Sequence, residues 1–230
     1  FLFGLSIFES KRKKNHFIWQ SKNIKMQILR SCLSILESFF FILSFRYLPL
    51  ADAHSIGSLA PIIVVLLSVI ILKERVGLKT WIAVFVGFLG VLIILRPGLS
   101  IFDFKATIPL VAAFFLGLYQ VVTRKVSEND KNETSIFFTA IIGIIIMSFL
   151  SFFYWQELGS KSVLIFSIIG ILGSLGIYFQ VIALEKARAS IIQPFHYTLI
   201  FWAIIFGFVV YKDIPDIPTL IGAVIIVSSG

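Results

Sequence analysis

Charge is what this chain has least of. Asp, Glu, Lys and Arg make up 14% of its 230 residues, against about a quarter in an ordinary soluble domain. That scarcity excludes a conventional water-facing surface. Cysteine is nearly absent. The single Cys32 lies inside an apolar stretch, so there is neither a disulfide framework nor a zinc spacing. The three histidines, His16, His54 and His196, are too far apart in sequence to share a ligand spacing. No glycine loop of the phosphate-cradling kind and no His-Glu helix motif occurs. An enzyme would need a nucleophile with its base, or a metal cluster, and neither is visible. The expectation is therefore no enzymic activity, no cofactor and no metal.

What is present is apolar. The chain is 58% hydrophobic and 15% aromatic, with a mean hydropathy of +0.99. Residues Ala106–Thr123, Thr134–Gln156, Ser162–Leu184 and Ala189–Tyr211 contain no Asp, Glu, Lys or Arg. Each window reaches or approaches the roughly 20 residues that cross about 30 Å of hydrocarbon. Spans are predicted near Met26–Leu48, Ala51–Leu72, Lys79–Leu95, Lys105–Val126, Thr134–Trp155, Ser162–Leu184 and Ala187–Tyr211. Phe1–Phe8 reads as the tail of a helix, and a final span starts near Ile217. Helices are expected throughout, because barrel strands would be about 10 residues long with alternating polarity. Lipid admits only helices or closed barrels. Pro49, Arg96-Pro97-Gly98 and Asp213-Ile214-Pro215-Asp216 punctuate the runs.

Two stretches echo one another. Leu48–Gly90 begins LPLADAHSIGSLAP and ends LKERVGLKTWIAVFVGFLG. Leu184–Gly230 begins LEKARASIIQPFHYT and ends YKDIPDIPTLIGAVIIVSSG. Five predicted spans separate their starts. An odd number sets the copies in opposite orientations across a membrane, as in inverted-repeat transporters. Charge agrees. If the loop carrying Lys11 to Lys25 is cytoplasmic, alternation places 15 of the 20 Lys and Arg on that side, as the positive-inside rule requires. The net charge of +8 is then a topology signal, and no nucleic-acid partner is expected.

The run Arg46-Tyr47-Leu48-Pro49-Leu50-Ala51-Asp52-Ala53 resembles a signature of the drug/metabolite transporter superfamily, EamA family. The same pattern holds for Ala60-Pro61, Leu72-Lys73-Glu74-Arg75-Val76, Trp81, Gly87, Gly90 and Arg96-Pro97-Gly98. In the second half it holds for Thr123-Arg124-Lys125, Pro194-Phe195-His196-Tyr197-Thr198, Trp202-Ala203 and Pro215-Asp216. The most similar subgroup contains S-adenosylmethionine uptake transporters, with riboflavin and amino-acid carriers nearby. The resemblance implies an all-α polytopic membrane protein. Its template is a ten-helix inverted five-helix repeat, here truncated at both ends. Residues 1–104 would form the first repeat, lacking its N-terminal helix or helices, and 105–230 the second, with its last helix cut. It implies a multi-pass protein of the inner (plasma) membrane that moves a small organic solute by alternating access.

Candidate solute contacts follow. Glu37 is the one acidic residue well inside a span, on a stripe with Ser34, Ser38, Phe41 and Ser44. A carboxylate in hydrocarbon costs a few kcal/mol, so it should face a cavity or a partner, and it suits proton coupling. The alternative is a neutral Glu37 bonded to a neighbouring hydroxyl. His54 shares a helix face with Ser58 and Pro61, although snorkelling to the interface also explains it. Gln193, Pro194, His196, Tyr197 and Thr198 concentrate polar and helix-breaking residues in a second span. Interhelical bonding or a pocket explains them. Tyr119, beside Gln120 and Thr123, reads as an aromatic belt or pocket residue, Gln180 as a pocket candidate, and Trp202 as core or a stacking wall. Gly87, Gly90 and Gly173, the last with Gly170, Ser174 and Gly176, read as packing seams. The charges of Lys73-Glu74-Arg75 read as a helix cap or a gate, with Asp213 as the inverted echo. Rival functions are a drug or cation–proton exporter of the same superfamily, a non-transporting membrane subunit, and a lipid-modifying enzyme.

Overall fold

The computed structural model describes residues 1–12, 18–48, 50–96, 104–154, 159–206, 208–209 and 216–229. His16, Pro49, Pro97, Gly98, Trp155, Asp213 and Pro215, singled out above, lie outside the described residues. Eleven α-helices occur among the described residues, and no strand. They are α1 (Leu2–Arg12), α2 (Ile24–Ser44), α3 (Leu50–Gly57), α4 (Ala60–Ile71), α5 (Leu78–Leu95) and α6 (Thr107–Ser127). Then follow α7 (Asn132–Tyr154), α8 (Ser160–Lys186), α9 (Ala189–His196), α10 (Thr198–Phe206) and α11 (Ile217–Ser229). Among the described residues, seven segments are long and apolar enough to cross a membrane: Ile24–Ser44, Asp52–Ile71, Leu78–Leu95, Phe104–Ser127, Asn132–Phe153, Ser160–Lys186 and Ala189–Phe206. They fall close to the seven spans predicted from the apolar runs. Two of the seven are broken, one at the α3–α4 junction and one at the α9–α10 junction.

Proline chemistry accounts for both breaks. Pro61 has no N–H, so the carbonyl four residues back loses its helical donor. The helix restarts as α4 with Pro61 in its first turn, where the missing donor costs nothing. In the second copy Pro194 lies inside α9. The ladder fails three residues later, where Tyr197 N–H bonds Pro194 O at 3.3 Å, and α10 begins at Thr198. The two breaks occupy corresponding places in the echoing segments.

Contacts divide the chain into two units, Phe1–Ile35 with Val122–Ala187, and Leu36–Val121 with Arg188–Gly230. The first unit is tied by buried polar groups. Asp130, in the turn between α6 and α7, accepts from Lys22 N–H at 2.8 Å, from Gln27 Nε2 at 2.9 Å and from the Ser21 hydroxyl. Arg30 is 0% exposed and donates to Ser135 O and to Thr139 Oγ1 on α7. Arg124 donates to the carbonyls of Leu184 and Glu185 at 3.0 and 2.5 Å, closing the C-terminus of α8. A cation there also suits the helix dipole.

The second unit is packed around Val65, Val84, Val91, Tyr197 and Ile226. Here α5 and α11 cross closely. A Cβ on Gly90 would lie 2.9 Å from Ile226 Cγ1 and 3.0 Å from Gly222 O. One on Gly222 would lie 2.7 Å from Gly90 O. Gly90 thus lies in a seam of the kind expected, and Gly87 is buried on the same helix. Gly173 does not. A Cβ there meets nothing within 4 Å, nor does one on Gly176. On the same helix, α8, a Cβ on Gly170 would lie 3.8 Å from Phe1 Cδ2, so the open positions are Gly173 and Gly176. The physical reason is that α8 is one of the most exposed helices of the chain, with none of its apolar window buried.

Candidate functional site

A cavity of about 230 Å³ opens in the second unit, where the two broken helices meet. Its walls come from α2, α3, α4, α6, α9 and α10. Tyr197, the residue at which α9 breaks, is buried, and its hydroxyl donates to Ser58 O at 3.3 Å. Ser58 is itself in the α3–α4 break, where the helical ladder is interrupted. The α9–α10 break thereby places a donor on the α3–α4 break, where a backbone carbonyl freed from its ladder in an apolar setting needs one. Ser58 Oγ turns inward on its own chain and donates to Ser55 O at 2.6 Å.

Four of the predicted contact residues come together on this cavity: Glu37, His54, His196 and Tyr197, together with Pro61. Glu37 sits one helical turn from Phe41 on α2, and both reach the cavity. Its Oε2 accepts from the Ser38 hydroxyl at 3.0 Å. The His54 ring stands edge-on to Phe41, with centroids 5.1 Å apart, and lies against Phe45 at 5.7 Å. His54 is half-buried against the cavity.

The α6 wall is made by Ala112, Ala113 and Leu116, so it is small and apolar. Tyr119 is buried but is not part of that wall. Gln120, one turn beyond Leu116, carries the polar chemistry of α6 instead. Its Nε2 lies 3.2 Å from His196 Nε2, and its Oε1 accepts from Gln193 Nε2 at 2.9 Å. Gln193 is 0% exposed and also donates to Ala189 O at 2.7 Å. Gln193 is therefore off the cavity wall, joined to His196 through Gln120. Gln180 belongs to the first unit, on α8. Trp202 is 53% exposed, edge-on to Phe201 with centroids 5.8 Å apart, and lies in neither the core nor the cavity wall. It faces outward because α10 is apolar on every side and presents its largest ring where no neighbour packs.

Sequence reasoning undervalued Gln120, for which the i, i+4 relation to Leu116 was the available signal. Glu74 was read with its neighbours as a helix cap or a gate, but which helix it would cap had no signal. Lys73 takes a left-handed backbone, φ 54°, and the chain turns so that Glu74 N–H bonds back to Ser68 O at 3.2 Å. Glu74 then reaches α9. Its Oε1 accepts from Ala189 N–H at 3.0 Å, and its Oε2 accepts from Ser190 N–H at 3.2 Å and Ser190 Oγ at 2.6 Å. A carboxylate from one echoing segment thus caps the first turn of the other. Arg188, the residue before α9, donates to Arg75 O at 3.3 Å.

Comparison with known proteins places these features. The EamA-like transporter family model matches residues 1–96 and 105–229. An uncharacterized transporter from Helicobacter pylori is 29% identical over 97% of this chain and 76% of its own length. An S-adenosylmethionine uptake transporter from Rickettsia conorii is 25% identical over 78% of this chain, which spans only 61% of that relative. A solved crystal structure aligns with a TM-score of 0.80 at 16% identity, covering 99% of this chain and 81% of the other. It shares the fold. Family membership, rather than any missing cluster, supports the expectation that the chain is not an enzyme. With nearly its whole length matched and seven apolar spans, the chain belongs to the EamA-like transporter family and is a multi-pass membrane transporter.

Proposed function

We propose that the protein is a secondary carrier that moves a small organic metabolite by alternating access, through the cavity of the second unit. The observation that carries this reading is the cavity's position. It lies where two proline-broken helices from echoing segments meet, the arrangement by which inverted-repeat carriers build solute sites. The match of the family model in two separate stretches supports the division into repeats at 1–104 and 105–230, within a ten-helix inverted design. At about 230 Å³ the cavity is smaller than the roughly 300–1,000 Å³ of drug-sized sites. Of the solutes proposed, an amino acid, a vitamin-like solute or the S-adenosylmethionine named for the Rickettsia relative, that volume favours the smallest, an amino acid. Glu37 is the one carboxylate on the wall and is the group that couples solute movement to protons. The positive-inside charge bias supports the orientation, with the Lys11–Lys25 loop cytoplasmic, in what we take to be an inner (plasma) membrane.

A second reading has one observation in its favour. A lone carboxylate in an apolar cavity also suits export of a cationic drug in exchange for protons. Transport of a labelled metabolite panel by the full-length protein in liposomes, with the pH gradient set in either direction, separates the two. Uptake of a metabolite that Ala113→Phe blocks by filling the cavity supports the carrier reading. Transport unaffected by Ala113→Phe removes the cavity from the pathway. Glu37→Gln is expected to abolish pH-driven uptake with expression intact, and unchanged coupling would sink the role given to Glu37.

A further inference from the structure

The amide chain behind the cavity has a direction, and that direction has a chemical consequence for His196. The Gln193 side-chain nitrogen is anchored at 2.7 Å by Ala189 O. A backbone carbonyl only accepts, so this end cannot be reversed. Gln193 Nε2 donates as well to Gln120 Oε1 at 2.9 Å. Gln120 must therefore turn its other end, Nε2, toward His196 Nε2, at 3.2 Å. Each amide orientation is dictated by the one before it, as hydrogen-bond networks assign such groups. The last acceptor is the imidazole Nε2.

From this geometry we infer that His196 is a specificity-determining residue held as the neutral tautomer protonated on Nδ1, and that Gln120 and Gln193 are the positioning residues that hold it so. With Nε2 occupied as an acceptor, the Nδ1–H is the ring's remaining polar group, and the ring lines the cavity. The site thus offers a fixed hydrogen-bond donor at His196 and a carboxylate at Glu37. A solute that matches both carries an acceptor, such as a carbonyl, carboxylate or ring nitrogen, and a donor or cation, separated by an apolar body lying against Phe41, Pro61 and Leu199. Placing a proton on Nε2 would set it against the Gln120 amide hydrogens. Reversing the chain to relieve that would turn Gln193 Oε1 onto Ala189 O. Gln193 Oε1 is buried and without a hydrogen-bond partner among the described residues, which is the cost this orientation carries. The charged group bonded to α9 itself is Glu74, at Ala189 and Ser190 of its first turn and away from His196 at its other end. Helix α9 packs against α4, α5 and α10, of which α4 and α10 hold no ionisable residue and α5 holds only Lys79, in its first turn. The remaining titratable groups on the cavity are Glu37, His54 and Tyr197. Proton coupling falls to Glu37, while His196 reads the solute.

The solute-reading half rests on the proposed transport function, whereas the tautomer half does not. Solid-state NMR of the full-length protein in bilayers, with 15N-labelled histidine and His196→Asn to identify the signal, reads the tautomer with no solute present. The expected spectrum has hydrogen on Nδ1 and a bare Nε2 near neutral pH. Gln120→Leu should lose that preference, and Gln120→Glu should draw hydrogen to Nε2. A wild-type ring protonated on Nε2 overturns the inference whatever the variants do. In uptake assays His196→Phe should raise KM about tenfold, the scale of one lost hydrogen bond, with kcat little changed. His196→Asn, which keeps a donor near the Nδ1 position, should restore most of the affinity. Equal KM for wild type and His196→Phe overturns the solute contact even if the tautomer is as stated. Absence of any transport refutes the carrier reading and leaves the tautomer result standing.

Discussion

At the scale of single residues, the side chains that matter are those whose polar atoms have few places to go. Tyr197 is an example. Its ring belongs to the core around Val65, Val84 and Ile226, and its hydroxyl meets the Ser58 carbonyl. Tyr197→Phe keeps the ring and removes the donor, and should lower stability by about 0.5–1.5 kcal/mol, read as a lower thermal midpoint in detergent. Glu37 was legible in the sequence because one acid in a long apolar run has no inexpensive lipid-facing position. Its helical neighbour Phe41 came with it by the i, i+4 rule. The destinations of Gln193 and Tyr197 were not legible. Four residues apart, they share a face, yet Gln193 turns to Gln120 and Tyr197 to Ser58. The helix breaks between them, and periodicity stops being a guide where the helix stops.

At the scale of elements, caps and crossings decide. Glu74 accepts three hydrogen bonds from the first turn of α9. Glu74→Ala should cost about 0.5–2 kcal/mol, as loss of a helix cap does, and hydrogen exchange should rise first at Ala189 and Ser190. Asp216 plays the corresponding part for α11. It accepts from Thr219 N–H at 3.1 Å and is bridged by Arg96 Nη2 at 2.8 and 2.7 Å. Its hydrogen bonds to Thr219 and Arg96 hold its carboxyl at about 2, below the ordinary 3.8. Because the folded value is the lower one, the capping contribution is complete above 3.8 and is lost as pH falls toward about 2. Chemical-shift titration of the Asp216 carboxyl should show a midpoint near 2, moving up toward the ordinary value in Arg96→Gln. The α5–α11 crossing is a matter of volume. Gly90→Ala forces a methyl against Gly222 O and Ile226 and should destabilise by about 1–3 kcal/mol. Gly173→Ala, with open space around it, should leave the midpoint unchanged or raised, and equal behaviour of the two variants would contradict the crossing.

At the scale of the whole molecule, the division by contacts does not follow the order of the sequence. It falls within α2, within α6 and between α8 and α9, so that each unit takes helices from both halves of the chain. In the repeat design proposed above, helices of the two halves would interleave in this way. The charge bias carries a prediction of its own. In a Cys32→Ala background, a cysteine introduced at Glu128 should react with an impermeant maleimide only from the cytoplasmic side. One introduced at Lys161, beyond the far end of α7, should react only from the other. Labelling of both from the same side would refute the alternation on which the inverted repeat rests.

The sequence by itself determined the number and position of the spans, the breaks at Pro61 and Pro194, the echo between the copies and the family. All of these are local or periodic properties: apolar length, missing donors and charge between runs. Tertiary structure alone decided which polar groups share a wall. Gln120 is 76 residues from His196, and Glu74 is 116 from Ser190. No spacing rule reaches across such separations. Those pairs exist because lipid gives a buried amide or carboxylate no partner, and packing the helices brings the only available donors and acceptors within bonding distance.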